Sequence, residues 1–243
     1  MSTHVVRAAL AALTFGAAAL PQAWATGIPG QGTWETDLEG RYLSADHSHG
    51  FDAFYDKALD VTWLANAGAF KGTWGGAQYW AAHLDVDGVS GWRLPIMVDT
   101  GAPGCAGYAY VGTDCGYNVD PGTSELVHMF YVTLGNKARY DTLGHKQTGS
   151  FNSGPFSNLA VDIYWSGVAY GPDTDFAWAF VTTDGAQARP KKLSSYYAWA
   201  VHSGDVAEVS EPPLGALALF GSGVVLAATG RMKRCEPSGR VRR

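Results

Sequence analysis

Cys105 and Cys115 stand ten residues apart in a stretch rich in Gly and Tyr. In an oxidising compartment two such thiols pair, and closing so short a loop contributes about 2–3 kcal/mol. A metal site is the competing use, but the stretch offers no further ligands and no CxxC spacing. His47 and His49 could share a metal from one strand, yet no third ligand is signalled. Solvated loop histidines are the plainer alternative. His83 and His128 fall on expected helices, where each reads as a surface or hydrogen-bonded residue. Asp85-Val86-Asp87 and Asp173-Thr174-Asp175 hold carboxylates at calcium-like spacing. Neither has the Gly and distal Glu of an EF-hand loop, and turn-forming Asp is the other use of such a pair. The sequence has no Gly-x-Ser-x-Gly elbow and no evident Ser-His-Asp set. It implies no catalytic residue, no metal and no cofactor.

Two patterns point to packing or binding. In Trp92-Arg93-Leu94-Pro95, Trp92 and Leu94 are expected to pack, and Arg93 to pair with a buried carboxylate or with backbone carbonyls. A ligand role for Arg93 is the alternative. An aromatic face complements the apolar face of a pyranose, but aromatics at alternating strand positions belong to the core. The candidates for sugar contact are therefore loop tyrosines: Tyr108, Tyr110, Tyr117, Tyr170 and Tyr196.

These residues need elements to hold them. The run Asp52 to Leu64 predicts two short strands around Asp56-Lys57, with Phe54, Val61 and Trp63 facing the core. Ala77, Trp80, Ala81 and Leu84 follow a helical stripe, predicting a helix over 76–84. A second helix is expected from about Ser124 to Leu134, capped by Thr123 or Ser124 and stopped by Gly135. Aromatic strands are expected over 163–166, 176–181 and 196–201, with bulky residues alternating with Ala in the last two. Two helices, a loop-rich middle and short antiparallel sheets make an α+β domain.

The two ends are different in kind. Arg7, the apolar run Ala8–Leu20 and Ala23-Trp24-Ala25 read as a signal peptide over 1–25, cut between Ala25 and Thr26 by signal peptidase. Its apolar run spans only ~20 Å as a helix, too short for the bilayer. A buried N-terminal helix is the alternative. Near the other end, Ser210-Glu211-Pro212-Pro213 breaks regular structure. An uncharged stretch then runs from Pro212 to Gly230, followed by Arg231, Lys233 and Arg234. That stretch would span ~28 Å as a helix, close to the hydrocarbon thickness, and cations beyond it favour a cytoplasmic end. A buried core helix is the other option. The order of features over 210–234 resembles the PEP-CTERM sorting signal, with Ser210 where the first Pro would sit. That resemblance implies cleavage by an exosortase, or a retained membrane anchor if cutting fails. Residues 235–243 form a basic tail. Between the ends, residues 26–209 read as one domain carrying 10 Lys and Arg against 20 Asp and Glu, a net charge of −10. Such a body argues against nucleic acid, which needs a cationic face, and disfavours simple charge-driven binding to acidic polysaccharide.

Residues 50–203 also resemble the Lcl C-terminal domain family, domain of unknown function 1566. The resemblance lies in Asp60-Val-Thr-Trp-Leu64, Gly91-Trp-Arg-Leu-Pro95, Tyr164-Trp-Ser-Gly167, Ala177-Trp-Ala-Phe180 and Tyr197-Ala-Trp-Ala-Val201. It implies a fold related to C-type lectins and formylglycine-generating-enzyme-like domains, with Trp63, Trp92, Arg93, Leu94, Pro95, Trp165, Trp178 and Trp199 as structural motif residues. The sequence departs from the pattern in its acidic residue: Asp99 comes four residues after Pro95, and Glu125 only after the cysteine loop. The Glu-Pro-Asn and Trp-Asn-Asp calcium motifs of sugar-binding lectins and the oxidase cysteines of the formylglycine enzymes are absent. The expectation is an exported, non-enzymatic surface or matrix module that binds polysaccharide. A structural envelope protein making protein contacts is the first alternative. An enzyme on the same scaffold is the second, and a large polar pocket holding a carboxylate of raised pKa would favour it.

Overall fold

A computed structural model of the protein describes residues 27–100, 109–111 and 114–206. The expected signal segment with Ala25 and Thr26, the sorting residues Ser210, Glu211, Pro212 and Pro213, the apolar span, Cys105 and Tyr108 lie outside the described residues. In chain order the regular elements are α1 (Trp34–Asp37), β1 (Leu38–Arg41), β2 (Ala53–Asp56), β3 (Val61–Leu64), β4 (Phe70–Gly72), α2 (Trp74–Ala82), β5 (Gly116–Tyr117), α3 (Glu125–His128), β6 (Ile163–Ala169), β7 (Ala177–Val181), β8 (Ala186–Ala188), β9 (Tyr196–Ala198) and β10 (Val201–Ser203). This is an α+β arrangement in which sheets dominate and helices are few and short. No helix among the described residues is long and apolar enough to cross a membrane.

β2 and β3 form the expected hairpin, Phe54 pairing with Trp63 and Asp56 with Val61. Its turn is held by Asp56, whose Oδ1 accepts from the backbone N–H of Ala58 at 3.0 Å and of Leu59 at 3.3 Å. Phe54, Val61 and Trp63 are buried, as their alternation predicts. β1 pairs with β2 and β10 with β3, giving an antiparallel four-stranded sheet in the order β1-β2-β3-β10. The second sheet has six strands in the order β4-β9-β6-β7-β8-β5. Its centre, β6 and β7, is antiparallel and buried on both faces: Ala177, Trp178, Ala179 and Phe180 are all nearly inaccessible. The largest core cluster unites the sheets through Trp63, Trp199, Phe156, Phe130, Tyr164 and Phe180.

Both helices begin where polar caps dictate. Thr73 caps α2 by accepting from Gly76 N at 3.3 Å, so the helix starts and ends two residues earlier than the expected 76–84. Ala77 and Ala81 are its buried face. Ser124 caps α3, and Gly135, at φ +63°, closes the segment. The single helix expected over 124–134 is instead α3 followed by a π-helical turn, Met129–Thr133. Leu134 N donates to Met129 O at 2.8 Å, a five-residue step back. The wider turn leaves Leu126, Val127, Met129, Phe130 and Thr133 all buried.

The expected strand over 196–201 is two strands in different sheets. β9 lies beside β4 and, in parallel, β6, whereas β10 belongs to the hairpin sheet. Trp199 and Ala200 carry the chain across. The Trp199 indole donates to Leu64 O at 2.8 Å, and Leu64 N donates to Ala200 O at 3.0 Å. The alternation of large and small residues continues unbroken through the crossing, so period alone could not show it. Beyond it the chain is tied down again. Val201 exchanges two backbone bonds of 2.8 Å with Arg93, Thr62 Oγ1 donates to Gly204 O at 2.8 Å, and Arg41 grips Asp205 with two bonds of 2.7 and 2.9 Å.

Candidate functional site

The Trp92-Arg93-Leu94-Pro95 block is a structural clamp. Trp92, Leu94 and Pro95 are buried, and the Trp92 indole donates to Val89 O at 2.9 Å. The Arg93 guanidinium forms a two-pronged pair with Glu125, both bonds 2.8 Å, and adds Leu94 O at 3.2 Å. Glu125 Oε2 also accepts from Ile96 N at 2.7 Å. The buried carboxylate expected for Arg93 is thus Glu125, brought from α3 across the cysteine loop. Asp99 serves another motif residue, accepting from the Trp178 indole at 3.0 Å. Trp63, Trp165, Trp178 and Trp199 are all core.

Of the four described candidate sugar-binding tyrosines, Tyr110 and Tyr117 stack together, while Tyr170 and Tyr196 pack against different tryptophans. Tyr117 is a correction: it sits in β5 with 2 % of its surface exposed, packed with Ala138 and Ala186. A short strand pairing with β8 draws that apparent loop residue inside. Tyr110 is exposed and stands over it, with Tyr140 beside both at ring-centre distances of 5.4 Å. Tyr170 packs edge-on against Trp178 at 5.3 Å beneath the Arg189 guanidinium. Tyr196 lies in β9 against Trp165. Asp85 and Asp173 each spend a carboxylate oxygen on a turn N–H, from Gly88 and Asp175 respectively. Among the described residues no three His, Cys, Asp or Glu side chains gather to hold a metal. Cys115 is buried, and its expected partner Cys105 lies outside the described residues.

A different site forms where four distant segments meet. A cleft of about 640 Å³ is bounded by residues 30–31, 135–139 following the π turn, 147–151 and 182–184, and Phe130 also lines it. Its architecture rests on Asn152, which is wholly buried. The Asn152 side chain accepts from Ile28 N at 2.9 Å and Gly154 N at 3.0 Å, and donates to Gln31 O at 3.0 Å and Leu134 O at 2.8 Å. All four bonding positions of one amide are used, and they fix three chain segments relative to one another. Asn136 completes the frame by pairing with the backbone of residue 152 in both directions, at 2.8 and 2.9 Å. Gly32 and Gly135 make the close approach possible, since a Cβ on Gly32 would meet Thr133 O at 2.4 Å.

The walls present Gln31, Lys137, Arg139, Gln147, Thr148, Ser150 and Thr183. Among the described residues one carboxylate lines the cleft, that of Asp184. Burial raises its pKa above the ordinary carboxylate range, and the Ala186 N–H, the Arg139 charge and the Tyr117 hydroxyl oppose that rise. Its neighbour Tyr131 donates to Gly185 O, and burial pushes the Tyr131 phenol up to about 12. The half-buried Phe151 ring can stack a sugar ring, and the hydroxyls, amides and two cations around it can bond the sugar's polar groups. Sequence reasoning missed this cleft, because Gln147-Thr148-Gly149-Ser150-Phe151-Asn152 reads as plain polar loop. The one signal was its length without any apolar period. No protein-family model matches this chain, and no curated protein matches it either.

Proposed function

We propose that the chain is an exported, non-enzymatic surface or matrix module that binds polysaccharide in the cleft between residues 135–139 and 147–151. The observation that carries this reading is the cleft itself, lined by Phe151 and by hydroxyls and amides on a frame that Asn152 rigidifies. A pre-formed frame avoids the ordering cost that weakens binding by loose loops. Support for a C-type-lectin-like fold comes from the two small sheets joined by long loops, and from the burial of all five motif tryptophans, three of them in the main core cluster. Support for export comes from the residues 1–25 and 210–234 patterns, with a signal peptidase and an exosortase as processing partners, and the membrane as an anchor if the tail is kept.

The test uses Gly149. Its side-chain position opens into free space, and it lines the cleft, so Gly149→Trp fills the cleft without forcing the fold. Pull-down of the full chain on immobilised polysaccharides should be lost in Gly149→Trp while its melting temperature is kept. Binding that survives the filled cleft would sink the assignment.

Asp184 favours a second reading, in which the cleft does acid–base chemistry. Asp184→Asn decides it. Release of reducing ends from a bound polysaccharide, abolished by that change, would make the chain an enzyme.

A further inference from the structure

We propose that the cleft selects a uronic-acid saccharide, its carboxylate held by Lys137 and Arg139. This rests on the polysaccharide reading above and adds the ligand's charge. Between residues 26 and 209 the chain carries a net charge of −10, which taken as an average repels acidic glycans. The average conceals how the cations are spent. Arg41 pairs with Glu39 and Asp205, Lys57 with Glu39, Lys71 with Asp162 and Arg93 with Glu125. Those four are neutralised in place. Lys137 and Arg139 are exposed and have no carboxylate within ion-pair distance among the described residues.

Both line the same stretch of cleft wall, residues 135–139. There Asn136 and Ala138 are buried, whereas Lys137 and Arg139 are exposed. Arg139 N donates to Asp184 O at 2.8 Å and Gln147 N donates to Arg139 O at 2.8 Å, so this backbone is locked on both sides. The carboxylate in the cleft, that of Asp184, has its Oδ1 shielded from solvent and lies beyond ion-pair distance of either cation. A uronate supplies what the wall lacks: an anion for a guanidinium fork and an ammonium, on a ring whose hydroxyls suit Gln147, Thr148 and Ser150.

The experiment titrates the full-length chain with three probes: oligogalacturonate, the same oligomer after carboxyl reduction, and dextran sulfate. Oligogalacturonate should bind at least about tenfold more tightly than its reduced form, as expected for one charge-assisted contact. The double change Lys137→Ala, Arg139→Ala should remove that advantage, and Lys191→Ala, Lys192→Ala, elsewhere on the surface, should not. Equal binding of the charged and reduced oligomers, both lost in Gly149→Trp, would overturn the acid preference and leave the cleft reading standing. Loss of binding with the Lys191 and Lys192 changes would place the anion site elsewhere and overturn it too. Dextran sulfate bound as tightly through Lys137 and Arg139 would show a site for any polyanion, not for uronate. Failure of all three probes would remove both proposals.

Discussion

Asp56 is the most exposed to pH of the structural residues, though it has no contact with solvent. It is fully buried, and burial raises its pKa, opposed by the N–H groups of Leu59 and Ala58 and by His128 nearby. A carboxyl whose folded pKa is raised holds its proton more tightly folded than unfolded. Stability is therefore highest below the unfolded pKa and falls as pH rises toward the folded value. Asp56→Asn keeps an oxygen for the two turn N–H groups and removes the buried charge. Thermal melts from mildly acidic to neutral pH should show a shallower decline for Asp56→Asn than for the wild type. Arg93 works the other way, as a cation whose removal strands a carboxylate. Arg93→Ala should cost about 2–3 kcal/mol by leaving Glu125 without its fork, and Arg93→Lys should cost less, because the charge remains. Chemical denaturation of the two variants checks the order.

At the scale of elements, what was legible depended on whether the signal was local. The β2–β3 hairpin was readable because its alternation and its Asp turn lie within a dozen residues. α2 was readable from its stripe, two residues out at each end, and α3 from stripe and cap, but the π turn after α3 was not, since Leu126, Met129, Phe130 and Leu134 fit either winding. The division of 196–201 between two sheets was hidden for a similar reason: a continuous period of two does not say which neighbour a strand takes. The clamp of Arg93 was foreseen in kind, a buried carboxylate, but not in identity, because Glu125 is 32 residues away. The cleft was invisible, being built from segments joined by Asn152 across separations of 121 and 124 residues. Asn152→Ala should therefore do double damage. It should lower the melting temperature, through four lost bonds, two of them to buried groups, and also abolish polysaccharide retention, whereas Phe151→Ala should lower retention with a smaller loss of melting temperature.

On the scale of the whole molecule, charge and processing set the expectations. Mass spectrometry of the protein from its native host should give a mature start at Thr26 and, if the sorting tail is cut, an end near Glu211. Labelling of free thiols in the same sample should leave Cys105 and Cys115 unmodified until reduction, and reduction should cost about 2–3 kcal/mol of stability. The averaged negative charge argues against nucleic acid, but an average says little about one cleft, since ion pairing elsewhere consumes cations unevenly.

The fastening of residues 201–205 has a mechanical meaning. If the tail beyond Val206 tethers the protein to a membrane, any drag on a bound polysaccharide is transmitted through β10. That strand is held by β3 on one side and Arg93 on the other, with the Arg41–Asp205 fork as its final latch. A pull directed along β10 would load these bonds side by side instead of one after another. The domain is then built to be towed from that end, and Arg41→Ala should lower its unfolding force in single-molecule stretching from the C-terminus more than it lowers its thermal stability.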